Sequence, residues 1–354
     1  MKKTIVTITG IRPDFIRIHT LIKKLDVGFN HILIHTGQHY DKMLSDVFFT
    51  DLGIRPPDYN LHVGGPDKEH FHVMAEISVK IIELFRKENI KPDLILFIGD
   101  SNSSSCAMAL KKEGYTIGHI EAGMRSHDRR MLEEINRTVC DHCSDIFFVY
   151  HINYKNNLLK EGIPDHKIHV VGNTITEIAT PIGKKLSQKP KINDKIILDI
   201  HRPENFKYKD RLKNIIKLSL ECGKKYKVPI KMLYFPRTMK IINEFDISLS
   251  GIESIGLMTY MEYMQATYDS CCVISDSGTG QEEPPFLNTK VLVPRDFTER
   301  PESVESNCSY MVNVNQTDFM SAFNWLDSDI KVNLDWLGDG KTSEKIYNIL
   351  YEKF

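Results

Sequence analysis

The chain has 354 residues, with 46 Lys and Arg against 47 Asp and Glu and a formal net charge of -1. At roughly 100–200 residues per domain this length predicts two domains and excludes a single small module. The balanced charge excludes a global positive field that would collect nucleic acid or an anionic membrane, so any phosphate site must be local. With 41% hydrophobic and 26% charged residues, the composition is that of an ordinary folded chain rather than a disordered or fibrous one.

The first residues, MKKTIVTITGIRPDF, have the two lysines of a leader, but the apolar stretch is about six residues long and Arg12-Pro13 follows without a small-residue cleavage site. They read as a first buried strand. No window approaches the roughly 18 continuous apolar residues of a membrane span. The seven cysteines are odd in number and scattered, which predicts reduced thiols and a cytoplasmic protein. Cys140-x-x-Cys143 has metal spacing, yet no second pair completes a zinc site, so no metal is expected.

Apolar runs alternate with amphipathic stretches along the whole chain. The runs are Thr4–Thr9, His31–His35, Leu94–Ile98, Thr116–Ile120, Ile146–Val149, Ile168–Val171, Ile196–Ile200, Ile230–Tyr234, Cys272–Ile274 and Val291–Val293. Helical spacing marks Phe71–Glu88 and Asp210–Lys225 between them, and Ser343–Phe354 at the end. Such alternation predicts parallel βαβ units, hence an α/β chain of two Rossmann-like domains. Gly172-Asn173-Thr174 closes a strand, and the lysine-rich segment Pro181–Asp194, with two prolines, interrupts the pattern and reads as a linker. The expected domains are 1–176 and 177–338, followed by a final helix over 339–354.

Ligands of open parallel sheets bind beyond the carboxyl ends of the strands. Those ends are polar here: Thr9-Gly10-Ile11-Arg12-Pro13-Asp14, His35-Thr36-Gly37-Gln38-His39, Gly99-Asp100-Ser101, His119-Ile120-Glu121-Ala122-Gly123, His201-Arg202-Pro203-Glu204-Asn205 and Ser275-Asp276-Ser277-Gly278-Thr279-Gly280. The last joins a strand to an expected helix through small residues and reads as a phosphate cradle, or simply as a helix cap. It is no P-loop, and Gly10-Ile11-Arg12-Pro13 is no dinucleotide fingerprint, so NAD is not implied. The carboxylates Asp100, Glu121, Glu133 and Glu134 fall in the first half; His201 and Arg202 open the second. Carboxylates on one wall of a cleft and phosphate-binding groups on the other would suit a substrate with an anionic leaving group. Glu133-Glu134 also reads as a helix start, Asp100 as a cap, His201 as a turn histidine, and Arg12 and Arg17 as a solvated helix face.

Taken together, Gly-Ile-Arg-Pro-Asp, His-Thr-Gly-Gln-His-Tyr-Asp, Gly-Asp-Ser, His-Ile-Glu-Ala-Gly-Met-Arg-Ser, Glu-Glu-Ile-Asn-Arg, Gly-Asn-Thr, His-Arg-Pro-Glu-Asn, Ser-Asp-Ser-Gly-x-x-Gln-Glu-Glu and the stretch from Arg295 to Glu302 resemble, in order, the UDP-N-acetylglucosamine 2-epimerases. The resemblance implies a GT-B-like fold, with two Rossmann-like domains facing across a cleft and the last helix packing back on the first. It implies acid/base roles for Asp100, Glu121 and Glu133, and a diphosphate role for His201, Arg12, Arg17, Ser277 and Gly278. Glu283 looks like the ribose-binding glutamate. Gln38, His39, Arg125, Asn136, Arg137, Arg202 and Arg300 fall at the family's other substrate-binding positions.

The hydrogen on sugar C2 is too weakly acidic to leave as an isolated proton. The family eliminates UDP to a 2-acetamidoglycal and adds it back, inverting C2, with no cofactor. The expected partner is therefore a UDP-sugar, without nucleic acid or membrane, and relatives suggest a homodimer. Alternatives are a hydrolysing epimerase that releases N-acetylmannosamine, a glycosyltransferase of the same architecture, and a nucleotide-sugar binding protein without catalysis. The Gly-Gln-His-Tyr-Asp and Arg-Ser-x-Asp segments sit closer to relatives in surface-polysaccharide pathways, some of which epimerise deoxy or diacetamido uronate sugars. Departures from the family pattern are Asp14 for Glu, Arg17 for Lys, Leu132 for Pro, Phe235 where many relatives have His, and Asp41. The loss of that histidine predicts weak or absent activation by a second substrate molecule.

Overall fold

The apolar runs become the strands of two parallel sheets, buried because helices cover their faces. A computed structural model describes residues 2–37, 46–65, 68–316 and 318–354. The chain divides into two units, Met1–Ile178 with Leu337–Phe354 and Ala179–Trp336.

In the first unit, β1 (Thr4–Thr9), β2 (Asn30–His35), β3 (Tyr59–Asn60), β4 (Leu94–Ile98), β5 (Ile117–Ile120), β6 (Ile146–Val149) and β7 (Ile168–Val170) form a sheet in the order β3-β2-β1-β4-β5-β6-β7. In the second, β8 (Lys195–Asp199), β9 (Ile230–Leu233), β10 (Ile252–Ile255), β11 (Ser270–Ser275), β12 (Lys290–Val293) and β13 (Ser309–Met311) follow the order β10-β9-β8-β11-β12-β13. Every residue of β4 is buried, as a central strand requires. Each sheet has one point where the chain reverses its direction of travel: between β1 and β4 in the first, between β8 and β11 in the second. These are the places where a doubly wound sheet opens a crevice for a ligand.

Three strands go beyond the sequence expectation: β3, β10 and β13, all at sheet edges. An edge strand is covered incompletely, and β10 (Ile252–Ile255) contains no fully buried residue, so it carries no continuous apolar run. The helix His70–Lys87 forms where helical spacing marks it, burying Val73, Ile77, Ile81 and Phe85 in a single stripe four residues apart. The expected linker at Pro181–Asp194 needs correction. A helix runs over Thr176–Leu186 with Pro181 inside it and with Ile182 and Leu186 buried. Its apolar positions outweigh the proline's lost hydrogen bond, so the connection between the units begins as a packed helix rather than as irregular chain.

The chain returns to the first unit at Leu337, whose carbonyl accepts the Asn173 N–H at 2.7 Å. The backbones of Gly172 and Gly338 touch there: a Cβ on Gly338 would stand 2.9 Å from the Gly172 Cα, and both residues have φ near +90° (+88° and +95°). The last helix, Thr342–Lys353, packs along helix Arg12–Gly28. Ile346 and Leu350 are fully buried, Phe29 meets the Tyr347 ring edge-on at 5.8 Å, and Glu177 accepts the Ser343 N–H at 2.7 Å. Truncating Leu350 to Ala should cost about 2–4 kcal/mol, read as a lower urea midpoint, because it empties a packed site; a loss under about 0.5 kcal/mol would show that this helix is not anchored by its apolar face.

Candidate active site

In the first unit the two loops flanking the reversal point pack tightly. A Cβ on Gly10 would overlap the hydroxyls of Ser101 and Ser103, so only glycine fits between the end of β1 and the end of β4. Asp100 follows Gly99, which has φ +64°, and its carboxylate pairs with Arg137, a guanidinium with no solvent exposure. Asn136 donates to the Asp100 carbonyl at 3.0 Å. Both Asn136 and Arg137 lie on helix Leu132–Cys143.

At the end of β5, Glu121 adopts the left-handed region, with φ +70°. That is uncommon outside glycine and costs about 1–3 kcal/mol unless the surroundings impose it. Here they do. The Phe148 carbonyl accepts both the Glu121 and the Ala122 N–H, at 3.1 and 3.3 Å, and the Glu121 carboxylate pairs with the buried Arg17 guanidinium. Behind this turn His119 places Nδ1 at 2.7 Å from Asp141 and Nε2 at 2.8 Å from the Gly99 carbonyl. Two acceptors on one ring call for two protons. Burial opposes that charge, but Cys140 and the Asp141 carboxylate raise the His119 pKa well above its ordinary value.

Asp141 also accepts from the Gly123 N–H at 3.1 Å and pairs with Arg125 at 2.8 Å. Arg125 holds Glu161 through Nε and Nη2, both at 2.8 Å, and the Met124 carbonyl through Nη1. All three nitrogens of Arg125 are thereby engaged within the protein. It braces the turn that carries Glu121, at a position where the family resemblance implies a substrate contact.

Glu133 stands half-buried in the first turn of helix Leu132–Cys143. Its neighbour Glu134 is buried and accepts from the Ser126 and His127 N–H groups at 2.9 and 3.0 Å, which holds the preceding loop. Arg12 is half-buried over the Phe48 ring, 5.5 Å from its centroid. Arg17, expected at the diphosphate, instead faces Glu121. Gln38, His39 and Asp41 lie outside the described residues.

In the second unit, the ends of β8 and β11 bring His201, Asp199, Asp276 and Ser277 together. His201 Nδ1 lies 2.9 Å from Asp199, and the Asp276 carboxylate accepts the N–H groups of His201 and Arg202 at 3.0 and 3.1 Å. Gly278 has no room for a side chain, since a Cβ would sit 2.5 Å from Arg300 Nη1 and 2.9 Å from Glu299. Arg300 itself pairs with Glu282 at 2.6 Å and with Glu299, and only 3% of its side chain is exposed. It packs against the turn at Gly278, at another position where the family resemblance implies a substrate contact. Only short 3-10 turns, Thr279–Gln281 and Pro284–Leu287, follow the serine-glycine turn. The expected helix and its dipole are absent there, because Pro284-Pro285 interrupts the chain; the buried Glu283 sits between the two turns. Asp199 and Asp141 carry much of this geometry, yet motif reading gives them no role.

The sequence model of the UDP-N-acetylglucosamine 2-epimerases matches residues 23–351. A UDP-N-acetylglucosamine 2-epimerase of Methanococcus maripaludis is 35% identical, the alignment covering 97% of each chain. The chain belongs to the UDP-N-acetylglucosamine 2-epimerase family. A UDP-2,3-diacetamido-2,3-dideoxy-D-glucuronate 2-epimerase of Pseudomonas aeruginosa is 32% identical over 98% of this chain and 99% of its own. The crystal structure of the Methanocaldococcus jannaschii UDP-GlcNAc 2-epimerase in complex with UDP-GlcNAc and UDP superposes with a TM-score of 0.89 at 33% identity, over 99% of both chains. Among the described residues no helix is long and apolar enough to cross a membrane.

One member of this epimerase site carries a stability signature. Asp14 accepts the Gly10 and Ile11 N–H groups at 2.7 and 3.1 Å, closing the start of helix Arg12–Gly28. Burial pushes its pKa from 3.8 up to about 7; the two N–H groups and Arg17 oppose the rise, and the Asp100 charge adds to it. A carboxyl with its folded pKa raised stabilises the native state fully below pH 3.8, and that contribution is lost as pH climbs through about 7. Asp14→Asn should therefore flatten the decline in unfolding free energy between about pH 4 and 7, by roughly 1–3 kcal/mol. Urea curves of the two proteins that stay parallel across that window would exclude Asp14 as the titrating group.

Proposed function

We propose that this chain inverts C2 of a UDP-2-acetamido sugar by elimination and re-addition, with Asp100, Glu121 and Glu133 moving the proton and His201, Arg12, Arg202 and the Ser277 turn holding the diphosphate. The observation that carries the reading is the placement of ionisable groups at the reversal points of both sheets, each braced by a counter-charge of its own unit.

In the forward direction a carboxylate takes the C2 proton, the C1–O bond to UDP breaks, and the electron pair becomes the C1–C2 double bond of the glycal. UDP then returns to C1 while a carboxylic acid delivers a proton to the opposite face of C2. The net change is inversion alone, and UDP is neither consumed nor released. Such a route needs a base and an acid at C2 together with cationic groups that keep the leaving diphosphate in place. Asp100 and Glu121, paired with Arg137 and Arg17, are the candidates for the base.

The sugar is a 2-acetamido hexose or its 2,3-diacetamido uronate relative. We also place the protein in the cytoplasm as a homodimer. Its seven free thiols support the compartment, and Leu132 and Ile135, three residues apart on one helix and 44% and 47% exposed, support a self-contact.

Incubation of the enzyme with UDP-N-acetylglucosamine, and separately with the diacetamido uronate nucleotide, in deuterated water tests the reaction. Deuterium should appear at C2 of one of them while UDP stays bound to sugar. Free N-acetylmannosamine would indicate the hydrolysing reaction, and a bound nucleotide sugar without exchange would leave only binding. Asp100→Asn and Glu121→Gln should each lower turnover on the order of a hundredfold or more. The second should also lower the stability of the fold, since it removes the Glu121 charge from beside the buried Arg17 guanidinium. Near-normal exchange in both variants would remove these carboxylates from the chemistry.

A further inference from the structure

Asp199 ends β8 after three buried apolar residues, Ile196, Ile197 and Leu198, and it is itself buried. One oxygen meets His201 Nδ1 at 2.9 Å; the other accepts from the Ser275 hydroxyl at 2.9 Å. Ser275 in turn accepts the Ser277 N–H at 3.0 Å, so a single carboxylate is tied both to the histidine ring and to the serine-glycine turn. Asp276 lies on the other side. Its Oδ1 accepts the His201 N–H, its Oδ2 accepts from Arg202 and from Asn205 Nδ2 at 2.9 Å, and Oδ1 lies 3.6 Å from Nδ1. Phe235 packs against the ring, with centroids 4.9 Å apart.

Asp199, His201 and Asp276 offer ligand atoms within 4.8 Å of one another, the spacing of a cation site. All four carboxylate oxygens, however, already accept from protein donors. A cation bound through His201 Nδ1 would have to displace the Nδ1–Asp199 hydrogen bond, so the cluster fits a held imidazole better than a held metal.

We propose that Asp199 is a positioning residue: it takes the Nδ1–H of His201, fixes the ring plane together with Phe235, and leaves Nε2–H as the donor presented to the substrate's diphosphate. Among the described residues Nε2 meets no protein partner, and 31% of the histidine side chain remains exposed. The diphosphate as the ligand rests on the epimerase reading above; the Asp199–His201 pair does not.

The groups bearing on the ring agree in sign. Burial alone would lower the imidazole pKa, but the charge and hydrogen bond of Asp199 and the charge of Asp276 outweigh it and raise the value, with Arg202 opposing. Tyr263, from helix Tyr260–Tyr268, also lies within the field of Asp199 and is held neutral by burial. The cation is therefore present below the raised pKa and lost as pH rises through it.

The test compares wild type with Asp199→Asn, full chains, by titrating the His201 Cε1–H signal by NMR, assigned by its absence in His201→Gln. UDP binding is measured in parallel by calorimetry near pH 6 and near pH 8. The His201 midpoint should fall by about one pH unit or more in Asp199→Asn. UDP affinity should drop about tenfold near pH 8 and recover to within about threefold near pH 6, where the ring charges without help. A role confined to folding would weaken binding equally at both pH values, and that outcome, or an unmoved His201 titration, would overturn the proposal.

Should Asp199→Asn fail to fold, Ser275→Ala keeps the charge and removes one of its two anchors. It should leave the His201 midpoint within about half a pH unit of wild type while weakening UDP binding at both pH values; a midpoint falling by about a full unit would overturn the assignment to the Asp199 charge. A wild-type chain that binds no UDP, but whose His201 titration still depends on Asp199, would sink the epimerase reading and sustain the pair.

Discussion

Arg17 and Arg137 are each almost wholly withdrawn from water, and each is paired with a carboxylate at a strand end, Glu121 and Asp100. A charge in that position is tolerated only with a partner, so every arrangement of the site that parts these pairs is costly. The consequence reaches the backbone. Arg17 is delivered by helix Arg12–Gly28 and Arg137 by helix Leu132–Cys143, so the register of two helices on their sheet sets where the carboxylates stand. Arginine suits this task better than lysine, because its planar fork stays charged when buried and fixes the partner's orientation. The departure from the family's usual lysine at position 17 is therefore placed where the difference between the two cations has most effect.

The second unit uses the same device with the signs exchanged. There the His201 ring is held by buried carboxylates, Asp199 and Asp276, and the carboxylates are satisfied by a hydroxyl, backbone N–H groups and an asparagine. In two of these pairs the member given a chemical role in the proposed reaction is the more exposed: Asp100 at 21% against 0% for Arg137, His201 at 31% against 7% for Asp199. Glu121 and Arg17 are instead both hidden, at 4% and 6%, as are Arg295 and Glu299.

The central strands were legible in the sequence because a strand covered on both faces has to be apolar throughout, as β4 is. The edge strands β3, β10 and β13 were not, being short and partly exposed, whereas β7 at the other edge of the first sheet still shows the apolar run Ile168–Val171. At the candidate site, motif order pointed to the carboxylates and His201, but spacing is silent on what a side chain touches. Arg17, Arg125 and Arg300 look alike as cations near strand ends, yet each turns inward to a carboxylate contributed from elsewhere in the chain, 104 residues away in the case of Glu121. Asp199 was concealed for the opposite reason. It is one polar residue closing an apolar strand, where periodicity registers only the hydrophobic neighbours.

Glu121 shows how such bracing permits a conformation that the residue would otherwise avoid. The left-handed backbone there would relax readily in an isolated turn, where glycine is the inexpensive choice, but glycine has no carboxylate to offer. The turn is pinned instead from three directions: by the Phe148 carbonyl on its amides, by Arg17 on its side chain, and by Asp141 on the following Gly123 N–H. Asp141 is itself held by His119 and Arg125, so the strain at one residue is distributed over a buried network with several charges. For a reaction whose intermediate must keep both UDP and the glycal in place until the proton returns to the opposite face, a carboxylate that cannot drift matters more than an unstrained backbone.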